Sequence, residues 1–308
     1  MTGVGTQLIF LKDLLDKLGV NVQLIRHGKY KSAGEMFVKN KASDENLEQN
    51  TEMVKSIWKN LAEKICESRE ITMEQLDKTI DNLELNTPAD FLSHSLVDEL
   101  LTKEELKSQL TNLAVQESFS NVNFISLPDY ITVLSTVKPS SKDKIAIIFA
   151  EGEIVDGYEK QQVAGDRFAS IIANVRADST VKAVVLRVAS PGGSVLASEK
   201  IKTEIDLLRK DKPVIASYGD YAASGGYWIS NSCDKIFSDP STLTGSIGVF
   251  SMIPEFGNTT KKLFHVNVTT VGSHKHSDMY SLMRPFDARE NANMQESVDN
   301  IYEAFIQN

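Results

Sequence analysis

With 308 residues, 41% of them hydrophobic, the chain can bury a full core and has room for about two domains of ordinary size. Its 33 basic and 42 acidic residues give a net charge of -9 and a pI near 5.2, a balance that argues against a phosphate-tracking surface and against nucleic acid as a partner. No window holds the ~20 uncharged apolar residues of a membrane-spanning helix, the opening MTGVGTQLIF lacks the basic flank of a signal peptide, and Cys66 and Cys233 show neither metal-site nor disulfide-framework spacing.

In chain order, residues 17–37 (KLGVNVQLIRHGKYKSAGEMF) find an echo in residues 263–283 (LFHVNVTTVGSHKHSDMYSLM), each reading as a VNV strand, a turn and a polar loop. Downstream, Val54, Ile57, Trp58 and Leu61 match Val298, Ile301, Tyr302 and Phe305, the spacing of one helix face. Residues 1–62 therefore read as the closing half of a unit whose fuller copy occupies 143–308, and the chain reads as a piece of a longer protein. Between them, 63–142 read as a mostly helical linker, with N-caps at Thr72 and Thr102 followed three residues later by Gln75 and Glu105. The second copy alternates β-rich runs (KIAIIFA, AVVLRVA, PVIASY, KIFS) with amphipathic segments such as ASEKIKTEIDLLRK, which predicts an α/β fold with parallel strands and crossover helices.

Three stretches could carry chemistry. In VASPGGSVLASEK a strand runs through Pro-Gly-Gly into a helix, and adjacent glycines allow backbone amides to face an oxyanion; a plain strand-to-helix turn is the alternative. In AASGGYW, Ser224 sits among small residues where a strand ends and a helix begins, so it reads either as an exposed nucleophile with the Gly225 amide beside it or as a helix N-cap. Ala222 stands where a GxSxG elbow would have its first glycine. In GKYKSAGEMF, Lys31 is either a solvated surface charge or, if desolvated, a base for a serine; in the repeat alignment it falls opposite Ser277. None of the five histidines lies beside Ser224. His265, His274 and His276 lack a spacing that fixes a metal, and GSIGVFS lacks the lysine and Ser/Thr pair of a phosphate loop.

Taken together, SPGGS, AASGGYWIS, STLTGSIGVF and YKSAGEMF resemble protease IV, the signal peptide peptidase A family of the Clp protease and crotonase superfamily. The resemblance covers nearly the whole chain. It implies a spiral of β-β-α units in tandem repeat, with the first copy truncated, and a serine endopeptidase that needs no cofactor or metal. Ser224 would be the nucleophile and Lys31 of the other copy its general base. Gly193 and Gly225 would supply the oxyanion amides, with Gly192 as the fallback for Gly193.

The resemblance further implies peptide substrates, released signal peptides above all, cut beside small or apolar side chains. It implies a homo-oligomer, a tetramer in the long family form, at the periplasmic face of the inner membrane of the cell envelope, with membrane association through an N-terminal segment outside this chain. Two other readings share the fold: a catalytically inactive peptide-binding homologue, and a crotonase-like acyl-CoA enzyme, which would place a carboxylate over a thioester and need no nucleophilic serine.

Overall fold

The computed structural model describes residues 1–134 and 141–307; residues 135–140 of the expected linker lie outside the described residues. The chain forms two compact units, Gly5–Ser56 with Asp143–Asn308 and Met1–Val4 with Ile57–Lys142. The elements begin with α1 (Lys12–Leu18), β1 (Asn21–Arg26), α2 (Glu35–Val38) and α3 (Asp44–Arg69). The unit boundary falls inside α3.

The smaller unit continues through α4 (Met73–Asp81), α5 (Pro88–Ser93), α6 (Lys103–Leu113), a 3-10 turn at Phe119–Asn121 and α7 (Leu127–Leu134). Thr72 and Thr102 close capping boxes with Gln75 and Glu105, each satisfying an otherwise orphaned amide at the helix start. Ala62, Leu76, Ile80 and Leu85 form the core, and Trp58 packs on it while donating from Nε1 to Asp77 at 2.9 Å.

The larger unit is a mixed α/β structure around a parallel sheet. Its elements are β2 (Lys144–Glu151), β3 (Ile154–Val155), β4 (Val163–Ala164), α8 (Gly165–Ala177), β5 (Val181–Ser190), α9 (Val195–Asp211), β6 (Val214–Ala223), α10 (Gly225–Trp228), β7 (Lys235–Phe237), β8 (Leu243–Gly245), β9 (Phe250–Glu255), α11 (Gly257–Leu263) and α12 (Ala288–Gln307). The main sheet runs β2-β5-β6-β7, all pairs parallel, with β8 alongside the far end of β6. Alternate residues of β5 and β6 (Val184, Leu186, Val188, Val214, Ala216) bury against Phe168 and Ile172 of α8 and Ile201, Ile205 and Leu208 of α9. That period of two in β5 and β6, set against helical spacing in α8 and α9, builds the core of the unit.

A separate antiparallel pair positions the site. β1 pairs with β9 from Asn21↔Glu255 to Arg26↔Phe250, and the His27 amide continues the ladder to Val249 O at 3.0 Å. Ile25, Val249, Phe286 and Val298 form the core beneath, so α12 packs on this ribbon. The loop that follows β1, which holds Lys31, is thereby held beside the segment that precedes β9. One expectation fails here: Val266–Val268, the second VNV, has no regular secondary structure and both valines are exposed, and among the described residues no strand pairs with it.

Candidate active site

Ser224 follows directly from β6. Its backbone turns sharply at φ 52, ψ -118, a region costly for a residue with a Cβ, and its amide donates to Gly245 O at 2.9 Å, which locks the turn to β8. The helix that follows has only four residues, so one turn of amides stands behind the serine. Ser224 occupies the N-cap position of that helix, but its side chain makes no cap hydrogen bond. The hydroxyl is instead turned toward Lys31.

Lys31 is buried, with 8% of its surface exposed. Its Nζ lies 3.2 Å from Ser224 Oγ and donates to Ser246 O and Ser246 Oγ, both at 2.9 Å. Burial away from water pushes its pKa down to about 8. As an ammonium, Lys31 has a partner for each of its three N–H groups. As a neutral amine it keeps two N–H bonds to Ser246 and turns its lone pair to the Ser224 hydroxyl.

The loop around Lys31 is tied down from below. Arg26 donates from one nitrogen to Lys31 O at 3.0 Å and to Glu35 Oε1 at 3.1 Å. Glu35 is fully buried; desolvation alone would raise its pKa, but bonds from the Ser43 hydroxyl and amide, Lys39 and Asn46 overcome this and hold it down at about 2. Ser246 and Glu35 were not singled out by sequence reasoning. Ser246 lies in a quoted motif, STLTGSIGVF, but its signal is structural: a φ of 50 at a residue that is not glycine.

The Pro-Gly-Gly turn closes on the serine from the other side. Gly192 and Gly193 have φ values of 97 and 152, and a Cβ on Gly192 would lie 2.5 Å from Gly225 N and 2.9 Å from Ser224 Cβ. Only glycines permit this approach. The Gly192 amide is occupied by Ser190 Oγ at 3.2 Å. Ile154 donates to Gly192 O and accepts from Ser194 N, so in this parallel bridge the Gly193 amide points away from Ile154. Among the described residues neither Gly193 N nor Gly225 N donates to another backbone carbonyl.

Ser224, Lys31, Gly193 and Gly225 thus line one cleft with the apolar side chains of Val195, Trp228, Val249 and Phe305. Among the described residues no carboxylate lines this cleft. Of the histidines, His276 approaches Asp287 and Glu290, while His265 and His274 stand apart from that group. Both Glu290 oxygens accept from Arg284, at 2.7 and 2.8 Å.

The sequence profile of Peptidase family S49 matches residues 1–117 and 206–308. The chain belongs to this family. It is 38% identical over 272 residues to Protease 4 of Haemophilus influenzae (85% of this chain, 44% of that protein) and 38% identical over 315 aligned positions to Protease 4 of Salmonella typhi (99% and 50%). The chloroplastic serine protease SPPA of Arabidopsis thaliana is 29% identical over 311 positions (98% and 46%). The chain spans about half the length of the curated relatives it matches. Among solved structures, a ClpP1 mutant from Listeria monocytogenes overlaps 52% of this chain and 77% of its own, with TM-score 0.29 and 15% identity. Among the described residues no helix is long and apolar enough to cross a membrane.

Proposed function

We propose that this family S49 chain carries the active site of a serine endopeptidase with Ser224 as nucleophile and Lys31 as general base. The observation that carries the reading is the 3.2 Å approach of a buried lysine amine, its pKa depressed, to a serine hydroxyl on a strained turn. Neutral Lys31 takes the Ser224 proton as Oγ attacks a peptide carbonyl, and the Gly193 and Gly225 amides receive the oxyanion. The C–N bond then breaks and the ammonium of Lys31 protonates the departing amine. Water, giving its proton to the same lysine, hydrolyses the acyl-enzyme.

The apolar walls Val195, Trp228 and Phe305 fit a small or apolar side chain before the scissile bond, as in cleaved signal peptides. Acyl-CoA chemistry would need a carboxylate over the thioester, which the lining of the cleft does not supply. We place the whole protein at the periplasmic face of the inner membrane, anchored through a segment outside this chain, as a homo-oligomer built on a Clp/crotonase-like tandem repeat. The exposed, apolar outer face of β2 (Ile145, Ile147, Phe149) fits a surface covered in such an assembly.

The test is covalent labelling by a fluorophosphonate probe, read by mass spectrometry of the modified peptide. Label on Ser224 in the wild type, lost in both Ser224→Ala and Lys31→Ala, is the expected result. Label that persists in Lys31→Ala at the wild-type rate would sink the lysine's role.

A further inference from the structure

A second cavity, of about 470 Å³, is lined by Lys31 but not by Ser224. Lys31 is the wall the two spaces share, and its partner Ser246 faces only the second. Phe10, Ala33, Gln49 and Asn50 contribute further walls. Apart from Lys31 the lining holds no charged side chain: it is carboxamide, hydroxyl and apolar surface. Asn50 donates from Nδ2 to Asn46 O at 2.9 Å and Asn46 Oδ1 at 2.7 Å, which fixes its carboxamide and leaves its oxygen as an acceptor.

We infer that this cavity is the leaving-group site, holding the residues that follow the scissile bond, an assignment that rests on the Ser224–Lys31 reading above. The reason is chemical. When Ser224 Oγ forms its bond to the carbonyl carbon and the C–N bond breaks, the electron pair stays on nitrogen, which takes its proton from Lys31 Nζ. That nitrogen must lie within hydrogen-bond reach of Nζ while the acyl carbon stays over Gly193 and Gly225. The chain beyond the nitrogen therefore continues past Lys31, where the second cavity opens. Neutral carboxamides suit main-chain N–H and C=O groups. With the lysine charged at this step and no carboxylate in the lining, a Lys or Arg directly after the scissile bond is disfavoured against Leu or Gln.

The experiment compares wild type, Ala33→Trp, which fills the cavity from an exposed position, and Gln49→Ala, also at an exposed position. For each, kcat/KM is measured on a peptide and on the p-nitrophenyl ester of the same acyl group, whose leaving group needs neither the cavity nor a proton from Lys31. Partition of the acyl-enzyme between water and added leucinamide or lysinamide is measured in parallel. We expect the peptide-to-ester ratio to fall about tenfold in Ala33→Trp and severalfold in Gln49→Ala, and wild type to transfer to leucinamide about fivefold or more over lysinamide. A ratio unchanged within about twofold in both variants, or equal transfer to the two amines, overturns the assignment. Wild-type hydrolysis of the ester with no such discrimination would fell this inference alone; failure to turn over the ester at all would fell the dyad reading and this inference with it.

Discussion

Lys31 Nζ and Ser224 Oγ stand 3.2 Å apart across 193 positions of sequence. Neither residue is placed by its own neighbours alone. The β1–β9 ribbon brings the lysine loop to residues 246–249, and β8 pins the serine turn, so two unconnected strand pairings meet at one hydrogen bond.

With Lys31 as the proposed base, its depressed pKa would set the pH profile. With its pKa at about 8, the neutral base is about a tenth of the population at pH 7 and about nine-tenths at pH 9. Peptidase kcat/KM should rise through pH 8 and level off above it. A profile that peaks below pH 6 would contradict Lys31 as base.

The same burial costs stability. Because the folded pKa lies below the ordinary 10.5, the native state holds a poorly solvated charge below pH 8, and this penalty fades as pH rises from about 8 to 10.5. Lys31→Met should therefore stabilise the fold by about 2 kcal/mol near neutral pH, after allowance for partial solvation, and by little above pH 10. Thermal melts of both proteins across that range check it.

In the proposed neutral state of Lys31, Ser246 O and Oγ would accept its two N–H groups and so aim its lone pair. Ser246→Ala removes the side-chain acceptor and keeps the backbone one. We expect kcat to fall about tenfold to a hundredfold with KM changed less than about threefold. Steady-state kinetics on a peptide substrate decide this.

Gly192→Ala places a Cβ 2.5 Å from the Gly225 amide at a φ of 97. Loss of that amide from the proposed oxyanion site should lower kcat by about a hundredfold or more while the far side of the sheet stays folded. Fluorophosphonate labelling rates, with circular dichroism as the control, give the result.

Glu35 holds the lysine loop through Arg26. Its pKa of about 2 means that its contribution is present above the ordinary carboxylate range and is lost as pH falls toward 2. Glu35→Gln should destabilise by about 2–3 kcal/mol at pH 7 and by less near pH 2. Urea unfolding at the two pH values measures the difference.

The sequence by itself determined the parallel-sheet unit and its parts. The β-rich runs became β2, β5, β6 and β7, an amphipathic run became α9, and Thr72 and Thr102 became caps, because β-propensity, helical spacing and capping are set within a few residues. It also marked Ser224, Lys31 and the Pro-Gly-Gly glycines by residue type and motif. Tertiary structure alone decided that the VNV of β1 is a strand and that of 266–268 is not, since a ladder needs a partner that local pattern cannot name. It alone brought Lys31 out of water, turned Ser246 and Ser224 into left-handed φ, and buried Glu35 beneath the loop. Desolvation is a property of everything packed around a group, so the depressed pKa of Lys31 was nowhere in its own neighbourhood of sequence.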